Sequence, residues 1–270
     1  MYINNSIFKI PIVNSVIMYD SLTSTNDIIK SLIGNGAVDG TLIIANEQTK
    51  GKGRLGRRFS SPSGEGIYFS LLVMPDLELS HIPQITIIAA IAVAKALNSL
   101  DGISVSIKWP NDIILDSKKV VGILTECTGN NVIIGIGINV NNKNFPDELK
   151  EHATSLYLTT GHTYNREELV ADVMKHFNQY YQLLLSTKDL SPVQEEYNKM
   201  LVNMNSEIYA IPQAMSLSSN NPDEIDKAGL TPAICRGIDS HGALIVENAD
   251  GTLNLLNSGE VSIRTKKGYC

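Results

Sequence analysis

Residues 1 to about 205 alternate between helical and strand periods, whereas residues from about 206 onward carry only short strand-like runs separated by turns. Ser24-Thr25-Asn26-Asp27, followed by Ile28, Ile29, Leu32 and Ile33, predicts a helix with one apolar face. Ser24 and Asp27 stand three apart, a variant of the capping box, and Gly34 and Gly36 stop the helix. Thr41 to Ala45 reads as a buried strand, and Gly66 to Met74 as another beyond a glycine-rich loop. Pro83 to Leu100 is apolar nearly all round, which predicts a helix buried between layers. Ile103 to Trp109, Ile113 to Leu115, Val120 to Thr128 and Val132 to Val140 follow as strands. Their turns fall at Asn111-Asp112, Asp116-Ser117 and Gly129-Asn130. Asn165 caps a further helix with Glu168 three residues on, and Leu169, Val170, Val173, Met174, Phe177 and Tyr181 form its stripe. Ser191-Pro192 starts another, with Pro at the first helical position.

Beyond residue 206 the strands are Glu207 to Ile211, Ala233 to Ile238, Ala243 to Glu247, Thr252 to Leu256 and Val261 to Arg264, enough for a small five-strand barrel. Residues 213–230, rich in Ser, Asn, Pro and Asp, read as a loop or a long hairpin tip. The division is thus 1–205 and 206–270, which suits a length of 270 residues.

Composition narrows the class. With 43% hydrophobic and 19% charged residues the chain is not wholly disordered. Its net charge of −6 argues against a general polyanion binder. Cys127, Cys235 and Cys270 form no CxxC pair, which fits a reducing compartment. The start MYINNSIFKI lacks the pattern of a secretory signal, and Ile85 to Leu97 is short for a membrane span and contains Lys95. A soluble, cytoplasmic protein is the expectation, with no membrane contact.

The chemistry concentrates in Gln48-Thr-Lys-Gly-Lys-Gly-Arg-Leu-Gly-Arg-Arg58, where Lys50, Lys52, Arg54, Arg57 and Arg58 gather with no acid before Glu65. Gly51, Gly53 and Gly56 let backbone N–H groups approach an anion, and the arginines add forked donors. The pattern also satisfies GxGxxG, but a strand follows it rather than the helix of a dinucleotide site, and no P-loop occurs. A solvated surface loop is the plain alternative. Nucleic-acid contact is disfavoured because Phe59 is its one interleaved aromatic.

Lys108-Trp-Pro-Asn-Asp112 sets Asn111 and Asp112 where two strands part, seven residues before Lys119. A carboxylate and a lysine flanking one hairpin suit Mg²⁺ and phosphate, although Asn-Asp is also an ordinary turn. Gly135-Ile-Gly-Ile-Asn139 puts two glycines on one strand face, the mark of close approach by a ligand or of a bulge. The scattered histidines and the lack of HExxH and GxSxG speak against zinc and serine-hydrolase sites.

In order, Ser24-Thr-Asn26, Gly51-Lys-Gly-Arg-Leu-Gly-Arg57, Lys108-Trp-Pro-Asn-Asp112, Lys119-x-x-Gly-Ile-Leu-x-Glu126 and Gly135-x-Gly-Ile-Asn139 resemble the biotin–protein ligases. Cys235-Arg-Gly-Ile-Asp-Ser-His-Gly-Ala-Leu and Gly259-Glu-Val-Ser-Ile-Arg264 resemble that family's C-terminal domain. The resemblance implies an α+β fold: a mixed sheet packed with helices, of the class II synthetase/biotin ligase-like kind, followed by a small SH3-like β-barrel. It implies that biotin and ATP form biotinyl-5′-AMP, which biotinylates a lysine of a biotin carboxyl carrier protein. Arg54 and Lys119 match the catalytic positions near the biotin carboxylate and α-phosphate. Ser24, Thr25, Asn26, Gln48, Gly51, Lys52, Gly53, Gly122, Leu124, Gly135 and Gly137 match the biotin pocket. Arg57, Phe59, Asn111, Asn139 and Arg264 match the ATP side, where Arg54 and Lys119 also belong, and Asp112 is the Mg²⁺ candidate. The loop's glycines suggest disorder without ligand and closure over the adenylate, and the resemblance further implies a homodimer paired through sheet edges. Lys52 and Leu55 depart from the family's usual basic residues. The short stretch before Ser24 shows no helix-turn-helix, so no repressor role is expected. A lipoate-type ligase and a non-catalytic biotin-binding module are the alternatives.

Overall fold

A computed structural model describes residues 8–213, 215, 227, 229–258 and 261–265. Most of the 213–230 segment, the Gly259-Glu260 pair and Cys270 lie outside the described residues. The larger part is a seven-stranded mixed sheet in the order β1-β2-β3-β7-β6-β5-β4. Its strands are β1 (Ser15–Tyr19), β2 (Thr41–Ala45), β3 (Ile67–Val73), β4 (Ser106–Lys108), β5 (Asp112–Leu115), β6 (Lys118–Thr128) and β7 (Asn131–Ile138). β1 and β2 run parallel and the other neighbours antiparallel.

Two helical layers enclose the sheet. α1 (Thr25–Ile33) covers part of one face, with Ile29 packed among Ile43, Leu72 and Ile133. α2 (Ile82–Asn98) and α4 (Arg166–Thr187) pack together on the other, as the all-round apolar pattern of α2 requires. With the 3-10 turn ahead of it, α2 makes a 20-residue apolar segment, Leu79–Asn98, long enough by composition to cross a membrane. Here the apolar side chains of α2 from Ile85 to Leu97 are buried in the protein core, while Leu79 stays exposed. Asn165 caps α4 as expected: Oδ1 accepts from the backbone N–H of Glu167 and Glu168, while Nδ2 donates to Glu168 Oε1 at 2.8 Å.

The strands β8 (Glu207–Pro212), β9 (Ala233–Ile238), β10 (Leu244–Glu247), β11 (Leu253–Leu256) and β12 (Val261–Arg264) form a second sheet in the order β11-β10-β9-β8-β12. One continuous cluster of buried side chains runs from the first sheet into Ile208, Cys235, Ile238, Leu244, Val246 and Ile263 of the second. Polar contacts close the same joint. Trp109 Nε1 donates to Gly242 O at 3.0 Å, and Ile238 N donates to Asn198 Oδ1 at 2.9 Å.

Several elements differ from the sequence reading. β1 is a half-buried edge strand whose five residues carry no alternation, and α3 (Leu156–Thr160) is a single turn of helix capped by Ser155; neither was legible by period. α5 (Gln194–Met200) starts beyond Pro192 rather than at it. The Ile103–Trp109 run forms only β4, and beyond it the chain turns at the cis Trp109–Pro110 peptide. The capping box at Ser24 is not formed: Ser24 makes no side-chain cap bond, and Asp27 pairs with Lys52 at 2.5 Å instead.

Replacing Trp109 with Phe leaves Gly242 O without its donor and removes part of a buried ring. We expect a loss of about 1–3 kcal/mol in folding stability, read as a lower denaturant midpoint by circular dichroism.

Candidate active site

Strand register builds the site. Tyr68, Gly137, Gly122 and Asp112 form one row across four strands, and Ser70, Gly135 and Leu124 form the next. Side chains two apart on a strand share a face, so these rows lie on the α1 face. α1 covers the far half of that face. Over the near half the glycines leave a trough.

Ser24, Thr25 and Asn26 sit at the N-terminus of α1 and are almost fully buried. Thr25 donates from its backbone N–H and its hydroxyl to Gln48 Oε1, at 2.9 and 3.1 Å. Gln48 Nε2 then donates to Ser61 Oγ at 3.0 Å. A Cβ on Gly135 would overlap Asn26 Oδ1, so Gly135 makes room for Asn26. Beneath them Ser70, wholly buried, lies 2.6 Å from Thr25 Oγ1 and 2.5 Å from Asn26 Oδ1. Sequence reasoning missed Ser70. Its signal was a lone serine within the mostly apolar run Ile67–Val73.

The basic loop is folded over the trough. Phe59 N–H donates to Gly51 O at 3.0 Å, and Gly53 N–H to Arg57 O at 2.7 Å. Gly51 is glycine because a Cβ there would collide with the backbone carbonyl of Phe59. The Gly53 amide is therefore spent inside the loop and is not offered to an anion. That task falls to side chains. Arg54 donates to Asn111 Oδ1 at 2.9 Å and to Ser258 O, so it ties the loop to both sheets.

Phe59 lies on the trough floor. A Cβ on Gly137 would stand 2.5 Å from its ring, and one on Gly122 3.1 Å. The ring meets Tyr68 edge-on at 6.4 Å between centroids. Burial raises the Tyr68 phenol above its ordinary range, so it stays protonated and donates to Pro62 O at 3.1 Å. With Phe59 in place the inner cavity is about 40 Å³, lined by Ser24, Thr25, Gln48, Lys52 and Leu124 among others. That is room for about one water. A small-molecule occupant needs more room than this.

An outer cavity of about 500 Å³ opens beside it, lined by Arg57, Lys108, Asp112, His152 and Arg264. This lies within the usual range of ligand pockets. Arg54, Phe59, Asn111 and Lys119 line both cavities. Lys119 Nζ is 2.6 Å from Asp112 Oδ1, and its backbone is held by His152 O and Thr154 N. Asn139 lines neither cavity: its Nδ2 donates to Thr154 O at 3.0 Å. Among the described residues no three His, Cys, Asp or Glu side chains converge on a metal. A Mg²⁺ carried by ATP needs only one or two carboxylates beside the phosphates, and Asp112 in the outer cavity fits that demand.

Two family matches follow the two sheets. The Biotin/lipoate A/B protein ligase family matches residues 18–141, and the Biotin protein ligase C terminal domain matches 233–264. The bifunctional ligase/repressor BirA of Bacillus subtilis is 37% identical over 243 residues, covering 87% of this chain and 70% of the relative. The chain belongs to the biotin–protein ligase family. The ligase is also 29% identical over 219 residues to an acetyl-CoA-carboxylase biotin ligase of Paracoccus denitrificans, covering 77% of this chain and 85% of that one. Its fold is similar to the biotin protein ligase of Aquifex aeolicus in complex with biotin and ATP, with a TM-score of 0.79, 28% identity, and coverage of 94% and 100% of the two chains.

Gly135→Ala should force Asn26 off its partners, weakening folding by about 1–3 kcal/mol. Gly34→Ala is the control, since φ is −67° and the nearest atom to a new Cβ is 3.9 Å away. It should be neutral or slightly stabilising. Urea titration of the two variants checks both.

Proposed function

We propose that the ligase seats biotin in the glycine trough and ATP in the outer cavity. There it forms biotinyl-5′-AMP and passes the biotinyl group to a lysine of a biotin carboxyl carrier protein or domain. The observation that carries this reading is that Arg54 and Lys119 line both cavities. They stand where a carboxylate held in one would meet a phosphate held in the other.

The first step brings together two anions. A biotin carboxylate oxygen attacks the α-phosphorus, the bond to the β-phosphate breaks, and pyrophosphate leaves. Arg54 and Lys119 offset the repulsion and the charge that grows on phosphorus. The carboxylate is already ionised at neutral pH, so no general base is needed. Thr25 and Gln48 hold the far end of biotin, with Ser24, Asn26, Lys52 and Leu124 around it. Arg57 holds the outer phosphates, Arg264 reaches the nucleotide, and Asn111 and Phe59 border the base. Asp112 holds Mg²⁺, which supplies further neutralisation of phosphate charge.

In the second step the neutral amine of the carrier lysine attacks the anhydride carbonyl. AMP leaves and the amine proton goes to solvent. The folded loop shields the anhydride from water meanwhile. The free thiols of Cys127 and Cys235 suit a reducing, cytoplasmic setting.

The test is exchange of labelled pyrophosphate into ATP. It should require biotin, and Lys119→Ala or Arg54→Ala should lower it by about 10²- to 10³-fold. Biotin binding without exchange would leave a binding module, and exchange driven by lipoate instead of biotin would change the substrate.

A further inference from the structure

Residues 51–59 fold back on themselves as a small hairpin across the trough. Phe59 N–H donates to Gly51 O, Lys52 pairs with Arg58, and Gly53 N–H donates to Arg57 O. The hairpin is tied down at three places. At its base, Thr49 N–H and Lys50 N–H donate to Leu22 O and Thr23 O, at 2.9 and 2.8 Å, just ahead of α1. At its tip, Arg54 reaches Asn111 and Ser258. Between the two, Lys52 Nζ sits 2.5 Å from Asp27 Oδ1 on the first turn of α1. Asp27 lines neither cavity, so this tie stands outside the chemistry assigned above.

The tip carries the opposite tendency. Arg57 N–H donates to Arg54 O at 3.2 Å and closes a turn whose two central residues, Leu55 and Gly56, both have positive φ, 57° and 74°. Turns with positive φ at both central positions, such as type I′, favour Asn-Gly. Gly56 fits without strain. A leucine in the left-handed region presses its Cβ against the following carbonyl oxygen. Leu55 is held in that region by the hairpin, and it can return to negative φ once the tip lifts. Its strain therefore works against the closed hairpin, while the ion pair of Asp27 and Lys52 works for it.

We propose that the hairpin is a lid over the adenylate, balanced by two positioning residues of opposite effect: Asp27, which holds it shut through Lys52, and Leu55, whose strained turn helps it open. The proposal rests on the seats of biotin and ATP given above. Lys52, Gly53, Arg54 and Phe59 all line the inner cavity, so biotinyl-5′-AMP lying across both cavities leaves when these residues move away. An acidic side chain in the first turn also favours a helix through its dipole. That structural role needs Asp27 alone, whereas the latch needs Lys52 as well.

Two rates test the lid. The first is release of biotinyl-5′-AMP from enzyme loaded with tritiated biotin and ATP and chased with unlabelled biotin. The second is nicking of the ligand-free protein by trypsin within residues 50–58, mapped by mass spectrometry, which requires the hairpin to come apart locally. Asp27→Asn should speed both by about 2- to 5-fold, the range of a partly exposed ion pair. In a Lys52→Gln background the same substitution should change neither rate, because its partner is gone. Salt at about 0.5 M should speed release in the parent and have less effect on Asp27→Asn. Leu55→Asn creates an Asn-Gly turn and should slow both rates by about 2- to 5-fold.

The proposal is overturned if Asp27→Asn leaves either rate unchanged, or if it acts equally with and without Lys52, as a helix-dipole role alone would. It is overturned also if Leu55→Asn speeds release, a variant that sits on an exposed turn and leaves α1 untouched. A parent protein that forms no biotinyl-5′-AMP would refute the biotin and ATP seats themselves. The nicking rates keep the two failures apart, since they need no substrate.

Discussion

Everything in the site depends on one sheet face from which side chains have been removed. Gly122 and Gly137 face each other across β6 and β7, and Gly135 faces Leu124 in the next row. A glycine in a strand interior costs stability through chain entropy and lost packing. Here the three positions have distinct uses. Gly135 admits the Asn26 amide, while Gly122 and Gly137 admit the Phe59 ring. The trough is thus lined from above by a helix terminus and a loop, whose side chains occupy the space the strands leave open.

The loop does not close on the catalytic sheet alone. Arg54 divides its donors between Asn111 and the backbone of Ser258 in the C-terminal part. Trp109, next to the Asn111-Asp112 turn, bonds Gly242 in that same part. The two sheets also share one buried cluster. The small C-terminal sheet is therefore part of the frame that orients the Lys108–Asp112 turn. Displacing it would move Arg54 and Asn111 together.

The legible parts of the chain were those where composition and position agree. The glycines of β7, the basic loop and the Lys108–Asp112 turn each break a local pattern, and each lines a cavity. The long apolar helix α2 and the capped helix α4 were equally readable, because burial on all sides and a 3.6-residue stripe are sequence properties. What was illegible depends on tertiary partners. β1 shows no alternation because the edge of the sheet leaves all five of its residues half-buried. Asp27 is drawn from its cap position by Lys52, a residue from a loop that only the fold brings near. The Gly53 amide, available to an anion by sequence, is consumed by a turn within its own loop. Asn139 occupies the end of a ligand-lining strand, yet its amide bonds the chain behind it.

The pairing of Lys119 with Asp112 explains how a mostly buried cation can wait for an anionic substrate. At 2.6 Å, with the carboxylate only 16% exposed, the two charges are largely out of water. The Lys119 side chain keeps 29% of its surface in water, so an unpaired ammonium there would be drawn outward to solvent. With Asp112 as a resident partner the ammonium stays at the junction of the two cavities. On the proposed function, an arriving phosphate would exchange one anionic neighbour for another and would not need to strip a fully hydrated lysine. The exchange also releases a carboxylate beside the phosphates, where a divalent cation can take it up. On that reading one ion pair holds Lys119 and Asp112 in place and leaves each free for a new partner when a nucleotide arrives.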